Sequence, residues 1–140
     1  MKRYLLIGCG AVVLGLILWV VYALFFDKDN VEFDFEKDRG DMEKVAAAIM
    51  QGQYEIKENS VVELPEEYER FSDTGEVCLV MFNGKPAIYF WTDRGVLESS
   101  RGYVYVLDDV PEGMIDEFST GNNFVNMNEV AEGWYSVSTD

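Results

Sequence analysis

The side chains in this sequence with most chemical potential are carboxylates: 26 Asp and Glu stand against 11 Lys and Arg, with no His and two Cys. Adjacent acidic pairs occur at Glu66 and Glu67, Asp108 and Asp109, and Asp116 and Glu117. Two carboxyl groups facing each other across a cleft can act as acid and base on a glycosidic bond. In so acidic a chain such pairs also arise from composition alone, and solvated surface charge is the plainer reading. Without histidine, no Ser-His-Asp triad, Cys-His pair or histidine-ligated zinc site can be built. Cys9 lies in an apolar run and Cys78 in "VCLVMF", so no thiolate metal site or internal disulfide is expected. Cys78 reads as a buried, inert thiol. There is no S-x-x-K spacing and no Gly-rich phosphate loop before a helix. The calcium-loop template fails on residues 27–38 and 108–119, where Val31 and Val110 occupy ligand positions. The expectation is a protein that is not an enzyme and has no cofactor or resident metal, with weak divalent cation binding left open. A carboxylate-dependent envelope hydrolase is the competing reading.

The aromatic residues suggest binding instead. In "PAIYFWT", Ala87, Tyr89 and Trp91 alternate with Ile88 and Phe90; in "GYVYV", Tyr103 and Tyr105 alternate with Val104 and Val106. If Ile88, Phe90, Val104 and Val106 face a helix layer, then Tyr89, Trp91, Tyr103 and Tyr105 form an aromatic platform on the other side. Arg94 and Arg101 sit beside it as rare cations. Such a face suits a sugar, a peptide or a protein partner. The alternative is that other segments of the chain simply cover it. Arg39, Gly40 and Asp41 spell RGD, but Asp41 is read as a helix cap, so an adhesion motif is not favoured.

These residues need elements to hold them. Residues 27–38 alternate, with Val31, Phe33 and Phe35 apolar, and suggest a first strand or a juxtamembrane stalk. Asp41 can cap a helix to about Gln51, with Met42, Val45, Ala46 and Ile49 at helical spacing and Gly52 as the stop. "YEIK" reads as a short strand, and "LPEEYERFSDTG" as a short helix opened by Pro65. Asn83-Gly84 joins "EVCLVMF" to "PAIYFWT" as a tight hairpin, and "GYVYVLDD" adds a third strand, so residues 76–107 form an antiparallel meander. "GWYSVST" is a last strand. The predicted fold class is α+β: an N-terminal transmembrane helix, then a small domain with an antiparallel sheet, made of the three-stranded meander plus flanking strands, and one or two helices on one face.

The transmembrane reading comes from residues 4–26, which carry no charge and follow Lys2 and Arg3. As a helix they would measure roughly 35 Å, enough for a bilayer core of about 30 Å. The positive-inside rule puts residues 1–3 in the cytoplasm and the acidic domain, residues 39–140, outside the cell membrane. Two processing alternatives exist. "LIGC" resembles a lipobox ending at Cys9, but the apolar stretch before it is too short. Cleavage after Ala23 would need an unusually long apolar region. An uncleaved signal-anchor is favoured. Gly8, Ala11 and Gly15 share a helical face that would permit close packing and a homodimer.

All 26 acidic residues, and all but two of the 11 basic ones, lie after position 26, and none of the latter follows Arg101. Nucleic acid binding needs cations to replace counterions and is not expected. A protein partner, of basic character, is the electrostatic match. The basic N-terminus, single apolar helix and acidic domain with runs such as "YFWTDRGVLESSRGYVY" resemble small single-pass membrane-anchored proteins of Gram-positive bacteria. Membrane-anchored immunity proteins share this architecture, so the resemblance implies an immunity or envelope accessory role and no particular functional residues. The functional expectation is a bitopic membrane protein presenting an acidic extracytoplasmic binding domain. A cell-wall glycan-binding module is a further alternative.

Overall fold

The computed structural model describes residues 12–21, 33–94 (backbone only at Arg94) and 100–139. The chain divides into two units, Met1–Glu32 and Phe33–Asp140. In the first, residues 12–21 are helical (α1), and their apolar side chains, Leu14 and Trp19 among them, are exposed. This corrects the expected transmembrane helix over residues 4–26. Among the described residues no helix is long and apolar enough to cross a membrane. Gly8, Ala11 and the remainder of the run lie outside the described residues. Gly15 lies in α1 with open space around it.

The second unit is built on one antiparallel sheet. Its strands are β1 (Ile56–Lys57), β2 (Val61–Glu63), β3 (Glu76–Phe82), β4 (Lys85–Arg94), β5 (Ser100–Val106), β6 (Asn126–Ala131) and β7 (Trp134–Ser138). They lie side by side in the order β1-β2-β3-β4-β5-β7-β6. The expected α+β layout is thus corrected to a seven-stranded sheet carrying a single α-helix in this unit among the described residues. The segment 66–71, expected as a helix, is a 3-10 turn (Glu66–Phe71).

The helix, α2 (Phe35–Met50), starts six residues before the expected cap at Asp41. Asp34 is the actual cap: its carboxylate accepts the backbone N–H of Glu36 at 3.1 Å and of Lys37 at 3.4 Å. Phe35, Asp38, Met42, Val45, Ala46 and Ile49 form its buried stripe. Asp38 interrupts the apolar pattern, so the first turns do not read as helix from sequence. In the structure Asp38 accepts a hydrogen bond from Arg70 at 2.7 Å and from the Asp34 backbone N–H at 3.2 Å. The RGD tripeptide falls inside α2 and not on a loop.

Two cores sandwich the sheet. On the α2 side lie Met42, Val45, Ile49, Leu79, Ile88, Phe90 and Trp134, all fully buried. Burial of side chains such as Met42, Val45 and Ile49 contributes about 1.5–3 kcal/mol each. On the opposite side Val80, Phe82, Ala87, Tyr89, Trp91, Val104 and Val137 form a second cluster. The segment after β5 reaches the free edge of β3, where Met81 N–H donates to Ser119 O and Ser119 N–H to Leu79 O. Phe124, just before β6, then packs on Phe82 and Tyr89.

The β3–β4 hairpin turns on Asn83 (φ 51°) and Gly84 (φ 77°), the paired positive angles of a two-residue turn that follows strand twist. The β4–β5 pair is less regular. Near the connection Arg94 pairs with Ser100 and Asp93 with Arg101; beyond a bulge between Trp91 and Asp93 the register shifts, and Trp91 pairs with Gly102, Phe90 with Tyr103 and Tyr89 with Val104. Gly102 makes this possible. A Cβ there would lie 2.1 Å from the Phe90 carbonyl oxygen and 2.7 Å from Trp91 Cα.

Candidate functional site

The bulge dismantles the expected aromatic platform. Residues directly opposite one another in an antiparallel pair share a face, and a one-residue slip moves every side chain of one strand to the other side. With the register found next to the connection, Tyr89 would face Tyr105 and Trp91 would face Tyr103. With the register that β4 and β5 adopt beyond the bulge, Tyr89 shares its face with Val104, while Tyr103 and Tyr105 stand opposite Phe90 and Ile88. Tyr89 and Trp91 are buried in the second core, 5% and 4% exposed. Their polar ends are occupied: Tyr89 bonds Ser100 Oγ at 3.0 Å and Trp91 Nε1 donates to Thr74 Oγ1 at 2.8 Å. Tyr103 and Tyr105 lie on the α2 side, where Tyr103 stacks on Phe35 at 4.4 Å and Tyr105 on Trp134 at 4.6 Å. The platform residues are therefore split between two faces, four aromatics serving packing. Of the two arginines, Arg94 contributes its backbone to β4, and Arg101 is exposed on β5.

Among the described residues, open grooves lie on the α2 side at each end of the helix. The first lies by its C-terminal half. Ala46, Ala47, Met50, Leu107 and Pro111 make an apolar floor, Tyr105 adds its ring, and Glu43, Asp108 and Asp109 bring carboxylates to the lining. Its volume is ≈ 400 Å³. Among the described residues no Lys or Arg lines it. Burial pushes the Tyr105 phenol above its ordinary range, and the nearby carboxylates of Glu43 and Asp108 act in the same direction. Glu43 is held in place by the indole N–H of Trp134, which donates to Oε1 at 3.0 Å. Residue 105 enters this groove, but Glu43, Ala47 and Met50 come from the helix and were not singled out in the sequence. The exposed side of an amphipathic helix carries no periodic signal that marks a binding edge.

The second groove, ≈ 450 Å³, lies beyond the N-terminus of α2. It is a polar shelf crossing β4, β5, β7 and β6: Thr92, Arg101 and Tyr103, then Ser136 and Ser138, then Asn126 and Asn128. Only Arg101 and Tyr103 of these were expected at a site. The Asn and Ser residues are unremarkable in sequence and become neighbours only because β7 inserts between β5 and β6.

The three acidic pairs fall in different places. Asp108 and Asp109 line the first groove, while Glu66 and Glu67 open the 3-10 turn and Asp116 and Glu117 lie in another, Ile115–Glu117. Among the described residues no three His, Cys, Asp or Glu side chains are grouped to hold a metal ion. Cys78 is half-buried on β3, its Sγ 3.7 Å from the Leu79 carbonyl oxygen. No family model, curated protein or solved structure matches the chain.

Proposed function

We propose that this chain is a binding protein whose acidic domain grips a basic segment of a protein partner. The observation that carries this reading is the groove beside α2: carboxylates of Glu43, Asp108 and Asp109 over a floor of Ala46, Ala47, Met50 and Leu107, with no cation in the lining. A lysine or arginine side chain matches that arrangement. Its methylene stem lies on the apolar floor, its charge meets the carboxylates, and the Tyr105 ring offers a face to the cation. The formal net charge of −15 steers a basic partner toward the domain from a distance. Metal coordination is a poorer match, since among the described residues no three His, Cys, Asp or Glu side chains are grouped to hold an ion.

A lysine-rich peptide is the direct probe. Binding to the full-length chain should weaken steeply with added salt, and Asp108→Asn with Asp109→Asn together should weaken it about tenfold or more while leaving the unfolding midpoint in place. Equal binding by the double variant would refute the groove as the site. The same proposal keeps the domain at the outer side of the cell membrane, as an immunity or envelope accessory protein. Supporting it are the exposed apolar side chains of α1. Fractionation of cells and protease digestion from outside test that placement; a chain recovered in the cytosol would overturn it.

A further inference from the structure

We propose that the polar shelf beyond the N-terminus of α2 is a second binding site, for a saccharide that carries a carboxylate. The argument starts from a change of character along the strands. On the α2 side, β4 runs from Ile88 and Phe90 to Thr92, β5 from Tyr105 to Tyr103 to Arg101, and β7 from Trp134 to Ser136 and Ser138. Each strand turns from apolar to polar where the helix ends, and β6 continues the polar row with Asn126 and Asn128. Phe35, the first residue of α2, stacks on Tyr103 and marks the border.

The chemistry of the lining selects the ligand. Backbone groups of inner strands are used in the sheet, so recognition falls to side chains. Asn, Ser and Thr both donate and accept, which suits hydroxyl groups that do the same. Asn126 Nδ2 donates to Ser138 Oγ at 3.0 Å, which orients that end of the row. Among the described residues Arg101 supplies the single cation of the lining, and no Lys or Arg follows it in the sequence. It faces Asp93 in the strand register, yet joins none of the ion pairs found among the described residues. Its planar fork can hold one carboxylate through two parallel bonds. A phosphate dianion is a worse match, since one guanidinium cannot balance it inside so acidic a domain. A purely apolar ligand finds too little to touch. The volume of the shelf falls within the range of about 300–1,000 Å³ usual for small-ligand sites.

D-glucuronate, D-glucose and glutarate separate the contributions. With the full-length chain kept in solution by a mild detergent, glucuronate should shift the NMR amide signals of Arg101, Asn126 and Asn128 saturably. Glucose, lacking the carboxylate, and glutarate, lacking the ring hydroxyls, should each bind about tenfold more weakly, the loss expected for a charge-assisted hydrogen bond. Arg101→Gln should cost glucuronate a similar factor, and Asn128→Ala should weaken glucuronate and glucose alike without affecting glutarate. Glutarate binding as well as glucuronate would overturn the saccharide assignment in favour of acidic peptide side chains. Glucose matching glucuronate would overturn the role of Arg101, and unshifted signals with all three would overturn the site. The lysine-rich peptide should still bind Arg101→Gln, so failure here leaves the acidic groove standing.

Discussion

Trp134 donates its indole N–H to the Glu43 carboxylate at 3.0 Å, tying an inner strand to the helix across 91 positions of sequence. Trp134 is fully buried, stacked on Tyr105 and edge-on to Phe35. Replacing Glu43 with Ala leaves that N–H without its partner, and the expected loss is about 1–3 kcal/mol in denaturant unfolding. Glu43→Gln keeps an acceptor oxygen and should lose under half as much. Equal losses in the two variants would show that charge, and not the hydrogen bond, matters there.

Arg70 and Asp38 make a more demanding pair. The Asp38 side chain is only 5% exposed and that of Arg70 31%, with 2.7 Å between them. Arg70 also lies over the Phe71 ring at 4.7 Å. Arg70→Met strands a buried carboxylate and should cost about 3–5 kcal/mol. Adding Asp38→Asn removes the stranded charge, so the double variant should be more stable than Arg70→Met alone. A double variant less stable than the single one would contradict this account.

Of the described glycines, Gly102 is the least able to accept a side chain. Gly102→Ala places Cβ against the Phe90 carbonyl and the Trp91 backbone. Backbone cannot yield as a flexible side chain does, so the β4–β5 register must break or the domain must fail to fold. Gly121→Ala, with nothing within 4 Å, is the control and should change stability by under about 0.5 kcal/mol. Circular dichroism and the fraction of soluble protein report the difference.

Alkaline pH should expose the burial of Tyr105. Its phenol is raised above the ordinary value of 10.0 first by burial and then by Glu43 and Asp108. The folded chain therefore keeps this proton after the unfolded chain has released it. The stability linked to it is intact below about pH 10 and declines as the pH rises through the higher folded value. Tyr105→Phe should flatten that decline. Tyr54, also raised by burial, should keep part of it. Tyrosinate absorbance and unfolding curves at matched pH give the measurement.

Local signals were legible where one short stretch decides the conformation. Asn83-Gly84 announces a turn because both residues tolerate positive φ, and the strands around it follow. Gly52 ends α2 with φ 73°. The start of α2 was not legible, because Asp38 looks solvent-facing until Arg70, 32 positions away, is beside it. The aromatic platform failed for a related reason. Alternation along β4 and along β5 each assigns faces within a strand, but the two strands are related by a bulge that neither pattern reveals. Only the glycine at 102 hints at it, as a place where backbones come close. The two grooves depend on contacts between distant segments, so composition gives their charge but not their position.

The placement of β7 has a consequence for how the domain comes into being. It is the last described strand, yet it lies inside the sheet between β5 and β6. Its pairs with β5 run from Arg101–Ser138 to Tyr105–Trp134. A ribosome still holding these residues leaves β5 with a bare edge and leaves the Trp134 slot in the core empty. Long-range pairing of this kind is slow and exposes sticky surface meanwhile. Closure of the sheet between β5 and β6 therefore waits for β7, the last of the described strands to be synthesised. Until β7 is in place, β5 and the core around Trp134 stay open to solvent and to other chains.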